Sequence, residues 1–308
     1  MRPLRPFFRF SRGRALPPRP ISGPKLIDGL REIAAGHDAL ICDVWGVVHD
    51  GQRHHPEAAE ALYRFKDKHG PVVLLTNAPR VPAEVAIQCA SYGLPSDCYD
   101  AIVSSGGVAR EALARRSANE KGHNVPLYYL GPDRDLAMIQ GLNVRRTAIA
   151  EAEVVLAIGM RDDLNEVPAD YADELAAMRA RGLTMLCANP DLVVHRGERL
   201  LYCAGSLAQA YEALGGSVIY YGKPHLPVYE SVLATLEGLL GHPPKRPLAV
   251  GDGLLTDIKG ANRANIEALF IADGVHGEDI GPYTEDHLAA LFTRFGAAAG
   301  SAARKLIW

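Results

Sequence analysis

Along most of the chain, short apolar runs alternate with amphipathic stretches, and turn residues separate them. Ala39–Val44 is an apolar run that ends on Asp43 and is bounded by Gly46. Pro56–His69 has helical spacing, with Ala59, Leu62, Tyr63 and Phe65 on one side and charges between them. Pro71–Leu75 is a second buried-strand candidate, followed at once by Thr76-Asn77-Ala78-Pro79. A helix is predicted over Ala83–Ser91, and a strand over Ala101–Val103 that runs into Ser104-Ser105-Gly106-Gly107, read as a loop. The alternation returns late in the chain. Val218–Tyr221 leads into Gly222-Lys223-Pro224 and a helix over Val228–Leu240. Leu248–Val250 then leads into Gly251-Asp252-Gly253, a helix near Asp257–Ala264 and a strand over Ala268–Ile271. Between these halves lie strand candidates Leu127–Leu130, Val154–Ile158 and Leu183–Cys187, with a helical stretch over Ala169–Arg181. Strands alternating with helices predict an α/β fold with a parallel sheet. The middle block reads as a second α/β domain inserted into the first. Ala297–Ala303 is an Ala/Gly patch, read as a loosely packed end.

Charge changes the picture at one end. The 308 residues carry a formal net charge of −3, but residues 1–25 hold six Arg, one Lys and no acid, or +7. The rest therefore carries −10. Six of the 21 prolines also fall in this leader, and they block both helix and ladder hydrogen bonds. It is expected to be a disordered extension; a transit peptide or a surface-binding arm has the same composition, whereas a signal peptide needs a continuous apolar segment. No recognised nucleic-acid module accompanies the basic residues, so no nucleic-acid partner is expected. No apolar run approaches the roughly 18 residues of a membrane span, so no membrane partner is expected. Five cysteines without a CxxC pair suit a reduced compartment, and the cytoplasm is the expected location.

The candidate chemistry lies at strand ends. Asp43, Thr76, Lys223 and Asp252 each fall at the C-terminal end of a predicted strand or in the turn after it, where open parallel sheets bind ligands. Two carboxylates close together stay ionised most easily beside a divalent cation, and a hydroxyl, main-chain amides and a lysine suit a phosphate. Singly, each has a plain alternative: Thr76-Asn77-Ala78-Pro79 is a turn, Gly222-Lys223-Pro224 a strand terminus, Asp252 a helix cap. Together they favour a phosphate and Mg²⁺ site.

Four segments in this order resemble the motifs of the haloacid dehalogenase superfamily, in its class IIA branch of sugar-phosphate, para-nitrophenyl-phosphate and pyridoxal-phosphate phosphatases. They are Asp43-Val44-Trp45-Gly46-Val47-Val48-His49-Asp50-Gly51, Leu75-Thr76-Asn77, Gly222-Lys223-Pro224 and Gly251-Asp252-Gly253-Leu254-Leu255-Thr256-Asp257. Cys187-Ala188-Asn189-Pro190-Asp191 resembles a segment of the class IIA cap. The resemblance implies a Rossmann-like core over 26–115 and 210–308, with an inserted α/β cap over 116–209. It implies Mg²⁺-dependent hydrolysis of a small phosphorylated metabolite through an aspartyl-phosphate on Asp43. Mg²⁺ would be held by Asp43, Asp252 and the carbonyl of Trp45. Thr76 and the amide of Asn77 would bind phosphate, Lys223 would offset charge beside Asp43, and Asp257 would orient metal-bound water or Lys223. Asn189 and Asp191 would either touch substrate from the cap or form a turn. Relatives of this branch often associate, and the sequence leaves a homo-oligomer open.

One position departs from the family pattern. Two residues after the nucleophile the family carries a second Asp, which protonates the leaving alcohol; here it is Trp45. The departure leaves open an enzyme whose leaving group needs no proton, a substitute acid such as His49 or Asp50, or a catalytically weak phospho-ligand binder on the same scaffold.

Overall fold

A computed structural model describes residues 23–118, 124–196, 199–274 and 280–308. Residues 1–22 of the expected leader lie outside the described residues. Lys25, expected within it, already belongs to the first strand.

Fourteen strands occur among the described residues. In chain order the first seven are β1 Lys25–Leu26, β2 Ala39–Asp43, β3 Val72–Thr76, β4 Ala101–Ser104, β5 Val125–Leu130, β6 Val144–Arg146 and β7 Val154–Ala157. The rest are β8 Thr184–Cys187, β9 Val193–Arg196, β10 Arg199–Tyr202, β11 Ser217–Tyr220, β12 Pro247–Gly251, β13 Glu267–Ile271 and β14 Ser301–Ala303. A seven-stranded sheet has the order β1-β14-β13-β12-β2-β3-β4, and every pairing in it is parallel. A five-stranded sheet, also all parallel, has the order β11-β8-β7-β5-β6. β9 and β10 form a separate antiparallel pair.

Burial on both faces explains the apolar runs. Along β2, Leu40 and Cys42 join a cluster with Phe65, Leu62 and Cys89 from the helices Pro56–Lys68 and Pro82–Ser91. The alternate residues Ala39 and Ile41 join a second cluster on the other face with Val228, Val232 and Leu236 of the helix Leu226–Leu240. That second cluster also takes in Leu127, Tyr129, Val154 and Leu156 of the five-stranded sheet. Val108, Ala109 and Leu113, on the helix Ser105–Ala118, lie within it, so one continuous core joins the two sheets. The outer face of the smaller sheet packs Val155, Met185 and Cys187 against Leu175, Met178, Leu207 and Tyr211.

Three expectations change. β11 pairs with β8, so the smaller sheet extends to Tyr220 and the expected return to the first sheet at residue 210 falls later, at Tyr221–Gly222. Ser105-Gly106-Gly107 opens a 14-residue helix instead of a loop; Gly106, without a side chain, lets the first turn lie against the main chain of Pro79 and Arg80. Ser301–Ala303 is a fully buried strand between β1 and β13, not a loose end.

The first sheet reverses direction of growth between β2 and β12. The chain moves from β2 outward to β3 and β4, then returns to β12 on the other side of β2. Such a switch point opens a crevice beyond the carboxyl ends of the two strands. Asp43 ends β2 and Asp252 follows β12, so both carboxylates stand at that crevice. Phe65 is fully buried on the face of the sheet beneath it, and Phe65→Ala is expected to lower unfolding free energy by about 3–5 kcal/mol, read as a fall in the urea midpoint.

Candidate active site

Four strand ends bring the polar residues together. Asp43, Thr76, Asn77, Lys223, Asp252 and Asp257 are all buried, although the elements that carry them are otherwise apolar. The Lys223 ammonium lies at the centre. Its Nζ donates to Asp43 Oδ1 at 2.5 Å and to Asp257 Oδ1 at 2.7 Å, with the carbonyl of Leu75 at 3.4 Å. Burial alone favours the neutral amine, but the charges of Asp257 and Asp43 outweigh it and hold the group protonated well above the usual lysine range. Burial, with Asp257 and Asp252 nearby, pushes the Asp43 carboxyl well above the ordinary carboxylate range despite the pull of Lys223.

Asp257 is fixed from several directions. Its Oδ2 accepts from the main-chain N–H of Gly253 at 3.0 Å and from Thr256 Oγ1 at 3.3 Å. Tyr229 donates its hydroxyl to the Asp257 carbonyl at 3.1 Å. Asp257 thus contacts Lys223 and also stands among the carboxylates beside Asp43 and Asp252.

Carboxylate oxygens of Asp43, Asp252 and Asp257 lie within 4.8 Å of one another. Three buried carboxylates against one ammonium leave an excess of negative charge, which fits a divalent cation. The main chain comes close to the same place. Gly46 has φ +81°, and a Cβ there would run into the Asp252 carboxylate, so only glycine lets the loop after Asp43 close over that acid.

Thr76 Oγ1 accepts from the N–H of Ala78 at 3.2 Å, which aims the hydroxyl and leaves its proton for a further acceptor. The Asn77 side chain is engaged elsewhere: its Oδ1 accepts from Lys223 N–H at 2.7 Å, and its Nδ2 donates to the Lys223 carbonyl at 3.1 Å and to Asp191 Oδ1 at 2.8 Å. Asn189 Oδ1 accepts from Asp191 N–H at 3.1 Å, a local turn within this segment. Burial raises the Asp191 carboxyl above its usual range, while the Asn77 bond and Lys223 pull it down.

Trp45 is 37% exposed; its ring lies against Gly51 and stands perpendicular to the His49 ring, 5.4 Å between ring centroids. Neither nearby substitute acid has the right state. His49 is buried between Trp45 and Tyr92, its Nδ1 accepts from Gly51 N–H at 3.1 Å, and burial lowers its pKa to about 4. Asp50 is exposed, and the main-chain N–H groups of Arg53 and Gln52 hold its carboxyl below the ordinary range. One is a neutral imidazole and the other a loop carboxylate. Cys42, beside Asp43, is buried with its thiol pushed far up by burial, which suits the packing role expected of it.

Sequence reasoning missed Tyr229, which looked like one more apolar helix position, and an Arg80 Nε–Asp135 Oδ1 pair at 3.4 Å that ties the loop after β3 to the segment after β5. No helix among the described residues is long and apolar enough to cross a membrane. All five cysteines are free and buried.

Comparison with known proteins agrees with this geometry. A family model described as haloacid dehalogenase-like hydrolase matches residues 40–145, and a second, HAD-hydrolase-like, matches 220–294. The chain resembles a solved haloacid dehalogenase-like hydrolase from Brucella suis 1330 at 37% identity, covering 92% of this chain and 100% of that one, with a TM-score of 0.79. It is 28% identical over 243 residues to the ribonucleotide monophosphatase NagD of Escherichia coli K12, covering 78% of this chain and 89% of that protein. A glycerol phosphate phosphatase from Mycobacterium tuberculosis, solved in complex with magnesium, shares the fold at 24% identity and a TM-score of 0.58, covering 79% of this chain and 70% of that one. With the matched segments spanning β2 to β6 and β11 to the helix Glu285–Phe295, this chain belongs to the haloacid dehalogenase-like hydrolases.

Proposed function

We propose that this chain is a divalent-metal-dependent phosphatase of small phosphorylated metabolites, with Asp43 as nucleophile and the five-stranded sheet as its cap. The Lys223 ammonium, bonded at once to Asp43 and Asp257 in a buried site, carries the reading. A carboxylate is a weak nucleophile toward a phosphate dianion, so the two like charges must be brought together against their repulsion. Lys223 supplies one fixed positive charge between them and holds Asp43 in one orientation. Asp257, braced by Gly253 and Thr256, keeps Lys223 from drifting toward the phosphate alone.

Asp43, Asp252 and the carbonyl of Trp45 would hold Mg²⁺, which when bound neutralises charge on the transferring phosphoryl group. Thr76 donates its hydroxyl to a phosphate oxygen, and the main-chain amide of Asn77 serves another. In the first step a carboxylate oxygen of Asp43 forms a bond to phosphorus, and the ester oxygen leaves with the electron pair of the broken P–O bond. In the second step water attacks the phosphorus and the bond from Asp43 to phosphorus breaks with its electron pair returning to the carboxylate; inorganic phosphate leaves, and the proton that water gives up passes through solvent to balance the oxyanion released in the first step.

The side chain of Trp45 has no proton to offer the leaving oxygen. General acid assistance contributes about 10²–10⁴-fold, so its loss weighs on poor leaving groups and spares good ones. Aryl, enol and acyl phosphates are therefore the preferred substrates of this site. The runner-up, a phospho-ligand binder with little turnover, draws its support from the same tryptophan.

Steady-state phosphate release from an aryl phosphate with Mg²⁺ tests the reading. Asp43→Asn is expected to reduce turnover to background while the far-ultraviolet spectrum stays unchanged. Undiminished turnover in that variant overturns the mechanism, and no turnover in the parent favours the binder. Trp45→Asp is expected to raise alkyl phosphate turnover by about 10²-fold or more and aryl phosphate turnover far less; equal gains on both count against the missing-acid argument.

Stability gives a second test. Asp43 has a folded pKa raised above its unfolded value, so the metal-free fold gains stability as pH falls and loses it as pH rises through the folded pKa. Without metal, the parent's melting temperature should fall as pH rises from acid, and Asp43→Asn should flatten that fall. Mg²⁺ at a hundredfold excess over its dissociation constant stabilises by about 2.7 kcal/mol, so it should raise the parent's melting temperature and leave Asp252→Asn unmoved.

A further inference from the structure

The side chain of Asn77 forms a closed set of bonds. Its amide oxygen and one amide hydrogen grip the N–H and carbonyl of Lys223, and the other hydrogen goes to Asp191 Oδ1. The two bonds to Lys223 fix where that residue's main chain lies against the end of β3, and hence where its four-carbon stem begins. A planar amide has only one rotation that satisfies all three partners. What selects that rotation is the third acceptor, because the lysine peptide alone tolerates some tilt.

Asp191 belongs to the segment after β8, in the five-stranded sheet, whereas Asn77 follows β3 in the seven-stranded one. Asp191 is itself held. Its N–H is taken by Asn189, and the carbonyls of Pro190 and Asp191 lie against Gly205, where any side chain would collide with them. Gly222, directly before the lysine, lies so close to Asn77, Pro190 and Ser105 that a Cβ would meet all three. The Ser105 hydroxyl is fully buried there and has no hydrogen-bond partner. Charged and titratable groups around Asp191 are Lys223 and Asp257 from the first sheet's side and Cys203 and Cys187 from its own.

We propose that Asp191 is a positioning residue: acting through Asn77, it holds the main chain of Lys223 so that the ammonium meets Asp43, and the second sheet thereby completes the site. Its effect on activity rests on the phosphatase reading; its effect on Lys223 does not. The role differs from contact with substrate, because Oδ1 of the carboxylate already accepts from an amide of the first sheet.

Two variants of the full chain separate the outcomes. Asp191→Asn keeps an oxygen that accepts from Asn77, while Asp191→Ala removes it. Hydrogen–deuterium exchange of the Lys223 amide, which is protected by Asn77 Oδ1, reports the position directly and needs no turnover. Exchange of the amides of β2 and β12 controls for general loosening. In Asp191→Ala the Lys223 amide is expected to exchange about tenfold faster or more, with β2 and β12 unchanged, since about 1.4 kcal/mol of lost protection is tenfold. Turnover of an aryl phosphate is expected to fall by about 10–100-fold at nearly constant KM, and Asp191→Asn is expected to restore both readings to within about threefold of the parent. An unchanged Lys223 amide in Asp191→Ala overturns the proposal. So does an Asp191→Asn variant as damaged as Asp191→Ala, which would assign the role to the charge, or a rise in KM at constant kcat, which would assign it to substrate contact. A parent chain that turns over no phosphate refutes the phosphatase reading and leaves the exchange result to decide the proposal alone.

Discussion

The two short bonds from the Lys223 ammonium to Asp43 and Asp257 impose the main constraint on this molecule. Each partner is buried, and a buried charge without a partner is strongly destabilising. The three must therefore arrive together, and they come from three separated stretches of chain. Asp43 ends β2, Asp257 lies in the turn after β12, and Lys223 follows β11, which belongs to the other sheet. A parallel sheet with its switch point between β2 and β12 satisfies two of these demands by placing neighbouring strand ends side by side. The third is met by a core that runs unbroken from one sheet to the other through the helix Ser105–Ala118. Packing that looks like ordinary hydrophobic burial thus sets the position of an ammonium group.

The site's electrostatics follow from the same constraint. Asp43 and Asp252 lie close enough to repel, and Gly46 permits the main chain to close over Asp252. The resulting pocket holds more negative than positive charge before any substrate phosphate enters. A body of net charge −10 offers no general attraction for an anion, so the attraction has to be local. Lys223, the strand-end amides and a divalent cation are the groups placed to supply it.

Much of this was legible in the sequence because chemistry restricts residue type more tightly than packing does. Asp43, Thr76, Lys223 and Asp252 stood out as polar residues ending apolar runs, and the structure brings all four to one crevice. What the sequence concealed depends on partners far apart in the chain. Periodicity identified the strand near Val218 but carries no information on which sheet it joins, and it joins β8. Gly106-Gly107 reads as a helix breaker locally, yet Gly106 is the small surface that the main chain of Pro79 and Arg80 requires, and Gly107 the one that Pro82 and Ser104 require. Ser301–Ala303 is too short and too rich in alanine to announce a strand. The Asn77–Asp191 bond spans 114 residues, and no local pattern reveals it.

His49 has a consequence for how the whole site meets its surroundings. Histidine is the side chain whose ordinary pKa falls where cells work, and a titrating ring next to the loop of Trp45 would switch the charge of that loop near neutrality. Burial between Trp45 and Tyr92, with Nδ1 already accepting from Gly51, keeps this ring neutral down to about pH 4. A phosphate monoester dianion, by contrast, takes up a proton near pH 6 to become the monoanion. Between mild acidity and neutrality His49 keeps a constant charge while the ligand changes its own, so His49 adds no pH dependence of its own to how this site meets a phosphate.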